Sequence, residues 1–348
     1  MTVTVAVDAN GADLGPREVA AGAALAARQG VRVLLFGPAA ELGDPGDGVE
    51  VRDAPVSVAK EADPARAVRN HPDASVVRAW AAVAAGEADA LVSGGSTGAA
   101  LAAGLFGIKR AKGVSRPALA LPVPVPGAPV TLVDVGANAE CRPEHLVQFA
   151  FMGAALATGV LGVERPRVAL LSNGEEPTRG TPVVVEAHAA LAERATGAGA
   201  LRFVGNIEGT QLTAGVADVV VCDGFTGNVA LKVMEGVSAT VLGAVREAAL
   251  SSVRGKAGGL LLRPALGGLK ADLDPEAIGG AYLLGLRRLG VVPHGRFTRQ
   301  GFGQAILLAA RGVREDVVGR THAALEAAGA LRRSPASSDS TASVPGAS

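Results

Sequence analysis

Five short segments of the 348-residue chain gather side chains that could handle an anion. They are Asp8-Ala-Asn-Gly-Ala-Asp13, Ser93-Gly-Gly-Ser-Thr-Gly98, Gly136-Ala-Asn138-Ala-Glu140, Ser172-Asn-Gly-Glu-Glu-Pro-Thr-Arg-Gly180 and Asp223-Gly-Phe-Thr-Gly-Asn228. Each follows a short apolar run. A glycine-containing loop that opens a helix presents unpaired N–H groups at the positive end of the helix dipole, a cradle for phosphate worth about 1 kcal/mol from the dipole alone. Ser93, Gly94, Gly95, Ser96, Thr97 and Gly98 form the first such candidate. Lys232, one turn beyond the Asp223 loop, and His294-Gly295, flanked by Arg296 and Arg299, add cationic groups. Asn173, Glu175 and Glu176, with Asn206 and Glu208 of Gly205-Asn-Ile-Glu-Gly209, carry amides and carboxylates in two further loops.

Other chemistries find little support. The five histidines show neither H-x-x-H nor H-E-x-x-H spacing, so no metal site is expected. The first loop lacks G-x-G-x-x-G, and no G-x-x-x-x-G-K-[ST] occurs, which argues against nucleotide binding. There is no G-x-S-x-G elbow, and Cys141 and Cys222 lie outside any nucleophile motif, so covalent catalysis is not expected. The two cysteines, far apart, suit a reducing compartment.

The elements that must position these loops alternate. Short Val/Leu runs at Val3–Val7, Val31–Phe36, Ala90–Ser93, Val130–Val135, Val168–Ser172 and Val219–Cys222 are separated by Ala-rich helical stretches. That pattern predicts an α/β fold with an open, mostly parallel sheet, helices on both faces, and two lobes around a cleft. Pro117–Pro129 holds five prolines and reads as a crossover or lobe boundary. Residues 1–333 form the expected catalytic unit, and 334–348, mostly Ser, Ala, Pro and Gly, read as a disordered tail. Ala88–Gly98 aligns without gaps on Ala217–Gly227, with six of eleven positions identical. The repeat suggests duplicated strand–loop–helix units with both loops at one edge of the sheet.

Lys+Arg and Asp+Glu both number 33, so no global field attracts nucleic acid, and a charged partner needs a local patch. Arg254, Lys256, Arg263 and Lys270, interleaved with leucines in Ser251–Asp272, could be such a patch for an acidic carrier or anionic lipid, or a solvated helix face. Leu146–Val163 has 18 residues without a charge, but a glutamine and three glycines dilute it, and it reads as a buried core helix. The N-terminus has no basic n-region and reads as a first strand. The expected location is the cytoplasm.

Taken together, the motifs resemble the PlsX-type phosphate acyltransferases. The resemblance rests on Asp8–Asp13, Ser93–Gly98, Asp134-Val-Gly-Ala-Asn138 with Arg142–Ala150, Asn173–Glu176, Phe203–Gly209, Val219–Asn228, Gly279-Gly-Ala281 and His294-Gly295. It runs in family order from about residue 3 to 305. Cys222–Asn228 with Gly205–Gly209 is its most specific part. Asn10 and Ala12 stand where the family has Met and Gly, Gly94 and Ser96 where it has Ala and Asn, and Phe297 where it has Ser. The resemblance implies a reaction of acyl carrier protein (ACP) thioester with orthophosphate, without metal or cofactor. It also implies a homodimer and a fold similar to phosphotransacetylases and isocitrate/isopropylmalate dehydrogenases. Phosphate holding then falls to the Ser93–Gly98 loop, Lys232 and the His294-Gly295 helix start. Asn173, Asn206 and Asn228 become oxyanion donors, and Asp223 and Asp8 orient groups nearby. Asn138, Glu175 and Thr226 complete the expected substrate contacts. A CoA-dependent short-chain phosphotransacetylase, an NAD-linked dehydrogenase of similar fold and a non-catalytic scaffold are the alternatives, and contact with the inner membrane face is a further expectation.

Overall fold

A computed structural model describes residues 2–125 and 129–332, apart from the side chains at 196–198, 266 and 270–272. The expected tail at 334–348 and the side chain of Lys270 therefore lie outside the described residues.

Eleven strands form one sheet: β1 (Thr4–Asp8), β2 (Arg32–Gly37), β3 (Val49–Asp53), β4 (Ala90–Ser93), β5 (Ala118–Val123), β6 (Val130–Val133), β7 (Arg167–Leu171), β8 (Arg202–Ile207), β9 (Val219–Val221), β10 (Ala281–Leu284) and β11 (Leu289–Val292). The order across the sheet is β3-β2-β1-β4-β11-β10-β5-β6-β9-β7-β8. The helices are α1 (Pro16–Ala27), α2 (Ala39–Leu42), α3 (Pro64–Asn70), α4 (Ser75–Ala84), α5 (Thr97–Gly107), α6 (Pro143–Leu161), α7 (Pro182–Ala198), α8 (Gly224–Leu250), α9 (Val253–Asp272), α10 (Pro275–Ile278), α11 (Arg299–Arg314) and α12 (Val317–Ala327). Central strands such as Val5–Val7 and Val219–Val221 are fully buried, because helices cover both faces. One buried layer holds α1, α6 and α11 residues, the other those of α4 and α5. Phe149, Phe151, Met152 and Leu156 of α6 lie wholly inside, so the uncharged stretch is a core helix.

The sheet is mostly parallel, as expected, but its polarity reverses in the middle. Seven strand pairings are parallel, while β11–β10, β10–β5 and β5–β6 are antiparallel. Three reversals separate β4 from β9, so these strands run in opposite senses. The two copies of the repeat therefore leave from opposite edges, which corrects the expectation of a single edge. The proline-rich stretch also differs from expectation, for Ala118–Val123 is strand β5, paired on both sides. Pro122 is tolerated because β10 ends opposite Leu121, leaving no partner on that side to need its missing N–H.

Two buried carboxylates fix the loops at these edges. Asp8, at the end of β1, is 3% exposed. It accepts hydrogen bonds from Ser75 Oγ at 2.6 Å, Ser93 Oγ at 2.7 Å and the Asn10 N–H at 3.2 Å. Burial pushes its pKa up to about 6, against the lowering effect of those donors. Asp134, just after β6, accepts from the backbone N–H groups of Leu119, Gly136, Ala137 and Asn138 and from Asn138 Nδ2. Burial also raises its pKa. The Asn138 carbonyl in turn accepts from Gly224 N–H at 2.7 Å, fastening the first turn of α8 to this node.

The duplicated Thr-Gly pairs differ in how tightly they are held. A Cβ on Gly227 would lie 1.9 Å from the Asp134 carbonyl oxygen, whereas one on Gly98 would lie 3.0 Å from the Pro64 side chain. Gly227→Ala should therefore lower unfolding stability by roughly 2 kcal/mol or more, and Gly98→Ala by less than about 1 kcal/mol, in urea titrations. Equal effects would contradict this placement. A second expectation concerns pH. The folded pKa of Asp8 lies above its ordinary value, so its contribution is intact below about pH 4 and is lost as pH rises through about 6. Asp8→Asn should flatten that decline, on the order of 2 kcal/mol, in urea midpoints compared at pH 4.5, 6 and 7.5. An unchanged slope would assign the decline to other groups.

Candidate active site

The reversal of the sheet leaves a trough between α5 and α8, floored by β5, β10 and β11. Helix α8 starts at the edge where β9 ends and runs back across the sheet. Its residues Asn228, Leu231, Lys232, Met234 and Glu235 thereby reach the cleft that Gly95 and Thr97 enter from the opposite edge. The cleft holds about 660 Å³. One end is polar, lined by Gly95, Thr97, Asn228, Lys232, His294 and Arg296. The rest is apolar, with Leu119, Leu121, Val123, Leu231, Met234 and Ile278 among its walls.

At the polar end Lys232 Nζ lies 3.2 Å from His294 Nε2 and 3.0 Å from Glu235 Oε2. Arg296 Nη2 approaches the same carboxylate oxygen at 3.4 Å. Burial, and then the charges of Lys232 and Arg296, hold the His294 pKa below its ordinary value, so the ring is neutral near pH 7. An ammonium can only donate, so Nε2 accepts from Lys232, while the Arg296 backbone N–H lies 3.4 Å from Nδ1. Two cations share the Glu235 carboxylate, while Asp274 lines the same cleft and Asp13 lies near His294. The site faces the start of α5, where Ser96 is the N-cap and its hydroxyl accepts from Ala99 N–H at 3.4 Å. The N–H groups of Thr97 and Gly98 lie in the first turn, where no intrahelical acceptor exists. An oxyanion bridging Thr97 and Lys232 fits this arrangement.

Not every expected residue reaches the cleft. Ser93 turns its hydroxyl inward to Asp8, and Gly94 packs against the Phe302 ring. Gly95 is glycine because a Cβ would lie 2.9 Å from the Asn10 carbonyl oxygen. Asn138 Nδ2 is held by Pro117 O at 2.7 Å and by Asp134. Asp223 caps α8, accepting from both the N–H and the hydroxyl of Thr226 at 2.8 Å. These groups shape the cleft and are fully engaged in doing so.

Asn173 and Glu175, just after β7, and Asn206, near the end of β8, are placed elsewhere, at the far edge of the sheet. The Asn206 amide donates to the Glu176 and Arg179 carbonyls, and its oxygen meets His188 Nδ1 at 3.0 Å, so it pins the Asn-Gly-Glu-Glu loop away from this cleft. Glu175 accepts from Gln211 Nε2 at 2.8 Å, and Asn173 is exposed outside the cleft. Gly295 lines the cleft beside His294, and Phe297 is buried against it. The Asn10 departure is a structural substitution, for its amide donates to Ala54 O and Ser75 Oγ at 3.0 Å. Glu235 was missed by sequence reasoning, although Lys232-x-x-Glu235 places both on one helix face. Among the described residues no group of three or more His, Cys, Asp or Glu side chains could hold a metal ion.

The chain matches the family model described as "Fatty acid synthesis protein" over residues 3–320. It is 44% identical over 331 residues to a phosphate acyltransferase of Thermus thermophilus, an alignment covering 93% of this chain and 98% of that protein. A phosphate acyltransferase of Pelotomaculum thermopropionicum is 42% identical over 316 residues, 89% of this chain and 91% of that one. Among solved structures, a phosphotransacetylase from Streptococcus pyogenes superposes with a TM-score of 0.59 at 18% identity, covering 90% of this chain and 94% of the other, which shows a shared fold. By these matches the chain belongs to the fatty acid synthesis protein family of phosphate acyltransferases.

Proposed function

We propose that the chain transfers a fatty acyl group from the thioester of ACP to orthophosphate, giving acyl phosphate and the free carrier thiol for phospholipid synthesis. The observation that carries this reading is the union of the two ends of one cleft. The apolar trough takes an acyl chain, and Thr97, Lys232, Arg296 and His294 surround the point where its carboxyl carbon would lie.

Phosphate is already a nucleophile near pH 7. Held about 3–3.5 Å from the thioester carbon, it needs orientation more than a strong base. The first turn of α5 and the Lys232 ammonium hold its oxygens, while Glu235 keeps Lys232 and Arg296 from swinging into solvent. A new C–O bond forms, the tetrahedral oxyanion collapses, and the C–S bond breaks with the sulfur leaving as thiolate. Asn228, one turn before Lys232 on the same helix face, is the oxyanion donor this geometry supports, worth about 10²-fold in rate if aligned.

The α8–α9 hairpin suggests the assembly. Phe225, Val229, Val233, Val237, Val241 and Val245 are exposed at four-residue spacing along α8. Such a row is a ridge of the kind that seats in the groove of a second helix, and we assign it to a second copy of this chain. Leu260, Leu261 and Leu262 of α9 are exposed beside Arg254, Lys256 and Arg263, a composition suited to an anionic lipid surface at the cytoplasmic face of a membrane.

Consumption of acyl-ACP, followed by release of carrier thiol, should depend strictly on added phosphate, and acyl-CoA compared in the same assay separates the CoA-dependent alternative. Lys232→Ala should raise the phosphate KM by about tenfold or more with the circular dichroism unchanged, the cost of losing one charge-assisted contact. A phosphate KM that does not move would place the phosphate elsewhere.

A further inference from the structure

A second large concavity lies where β5 begins, at the C-terminal end of α5, and holds about 1130 Å³. Its walls come from the end of α5, the start of α6, α7 and the segment after α12. Five arginines line it: Arg110, Arg116, Arg142, Arg194 and Arg332. Only two carboxylates, Glu144 and Glu186, line it with them. The Arg142–Glu144 contact is loose, at 3.8 Å between exposed side chains.

Some arginines outside the groove are neutralised by carboxylates. Arg32, Arg52, Arg167, Arg179 and Arg299 each meet an Asp or Glu oxygen within 3.4 Å. With five arginines against two carboxylates on its walls, the groove itself carries surplus positive charge. Arg116 has no hydrogen bond or ion pair among the described residues, and Arg110 and Arg194 are bonded only to backbone carbonyls. His145, on the groove wall, has its pKa held below the ordinary value mainly by burial; Glu144 opposes this, and Arg116 and Arg142 add to it more weakly. Phe106, 42% exposed, gives the floor an apolar anchor beside the charges, the combination found at the centre of protein interfaces.

We infer that this groove is the docking surface for the acidic carrier protein, an inference that rests on the acyl-carrier reading of the cleft. A tethered thioester requires the carrier to dock outside the cleft, within reach of its arm. Helix α5 runs from Thr97 in the cleft to Phe106 in the groove, nine residues or about 14 Å of helix. Strand β5 links them too, with Arg116-Pro117 in the groove and Leu119, Leu121 and Val123 in the cleft. The groove is built on packed elements, unlike α9, whose leucines are exposed among its cations. It thus offers an acidic helix a fixed, concave, positive surface.

The test is steady-state kinetics on the full chain with acyl-ACP and with acyl-pantetheine, which lacks the carrier, alongside direct binding of the apo-carrier. Arg116→Glu with Arg332→Glu should raise the KM for acyl-ACP about tenfold or more, most at low salt, and weaken apo-carrier binding in parallel. The kinetics with acyl-pantetheine and the phosphate KM should not change. Arg28→Glu with Arg314→Glu, exposed positions outside both concavities, imposes the same change in net charge and should leave the acyl-ACP KM unaltered. The groove is overturned if its reversals leave acyl-ACP KM and carrier binding unchanged. It is also overturned if Arg254→Glu with Arg263→Glu on α9 raises that KM in its place, or if the groove variants impair acyl-pantetheine equally. A wild-type chain that binds carrier through the groove yet shows no phosphate-dependent turnover of acyl-ACP would remove the transfer reading and leave the groove standing.

Discussion

The arrangement depends on one constraint: Asp134 is a buried carboxylate with no ion-pair partner among the described residues. Four backbone N–H groups and one amide satisfy it, drawn from the start of β5 and the loop after β6. A buried carboxylate left with fewer donors would take up a proton or draw in water, so these segments must stay together. Through Asn138 the same node holds Gly224 and so the origin of α8. Asp8 does the equivalent work at the other edge, joining β1, α4 and β4 through two serine hydroxyls. The helices that enter the cleft, α5 and α8, are each launched from beside one of these nodes.

Much of this was legible in the sequence. Fully apolar runs such as Val219–Val221 declare strands covered on both faces, and the loops that follow them are where the chemistry lies. Asp223 and Thr226 were read as site residues, and they do sit at the start of the helix that carries Lys232. What could not be read was strand sense. Whether a strand runs with or against its neighbour is decided by the crossover path, and no residue in Ala118–Val123 records that it lies between two antiparallel partners. Pro122, within a proline-rich stretch, pointed away from a strand altogether, until the early end of β10 removed the need for its N–H.

The amides show a second limit. Asn173, Asn206 and Asn228 are chemically alike, and each follows an apolar run. Only partners distant in sequence distinguish them: Asn206 is occupied by carbonyls 30 and 27 residues away, while Asn228 faces the cleft beside Lys232. Glu235 escaped notice for the opposite reason, since an i, i+3 pair on a helix is usually surface decoration. Here Arg296 arrives from a different element and makes the same carboxylate a shared clamp.

The long path of α8 has its own consequence. Because β9 ends at the edge opposite His294, Lys232 reaches its partner by travelling along a helix, eight residues or about 12 Å from Gly224. A loop absorbs an inserted residue, but a helix rotates everything beyond it by about 100°. The polar end of the cleft is therefore a matter of angular phase, with Asn228, Lys232 and Glu235 meeting Thr97 and His294 only at one helical setting. Natural variation in length should avoid residues 223–242, which include the part of α8 that lines the cleft, and should be freer at the hairpin turn after Leu250.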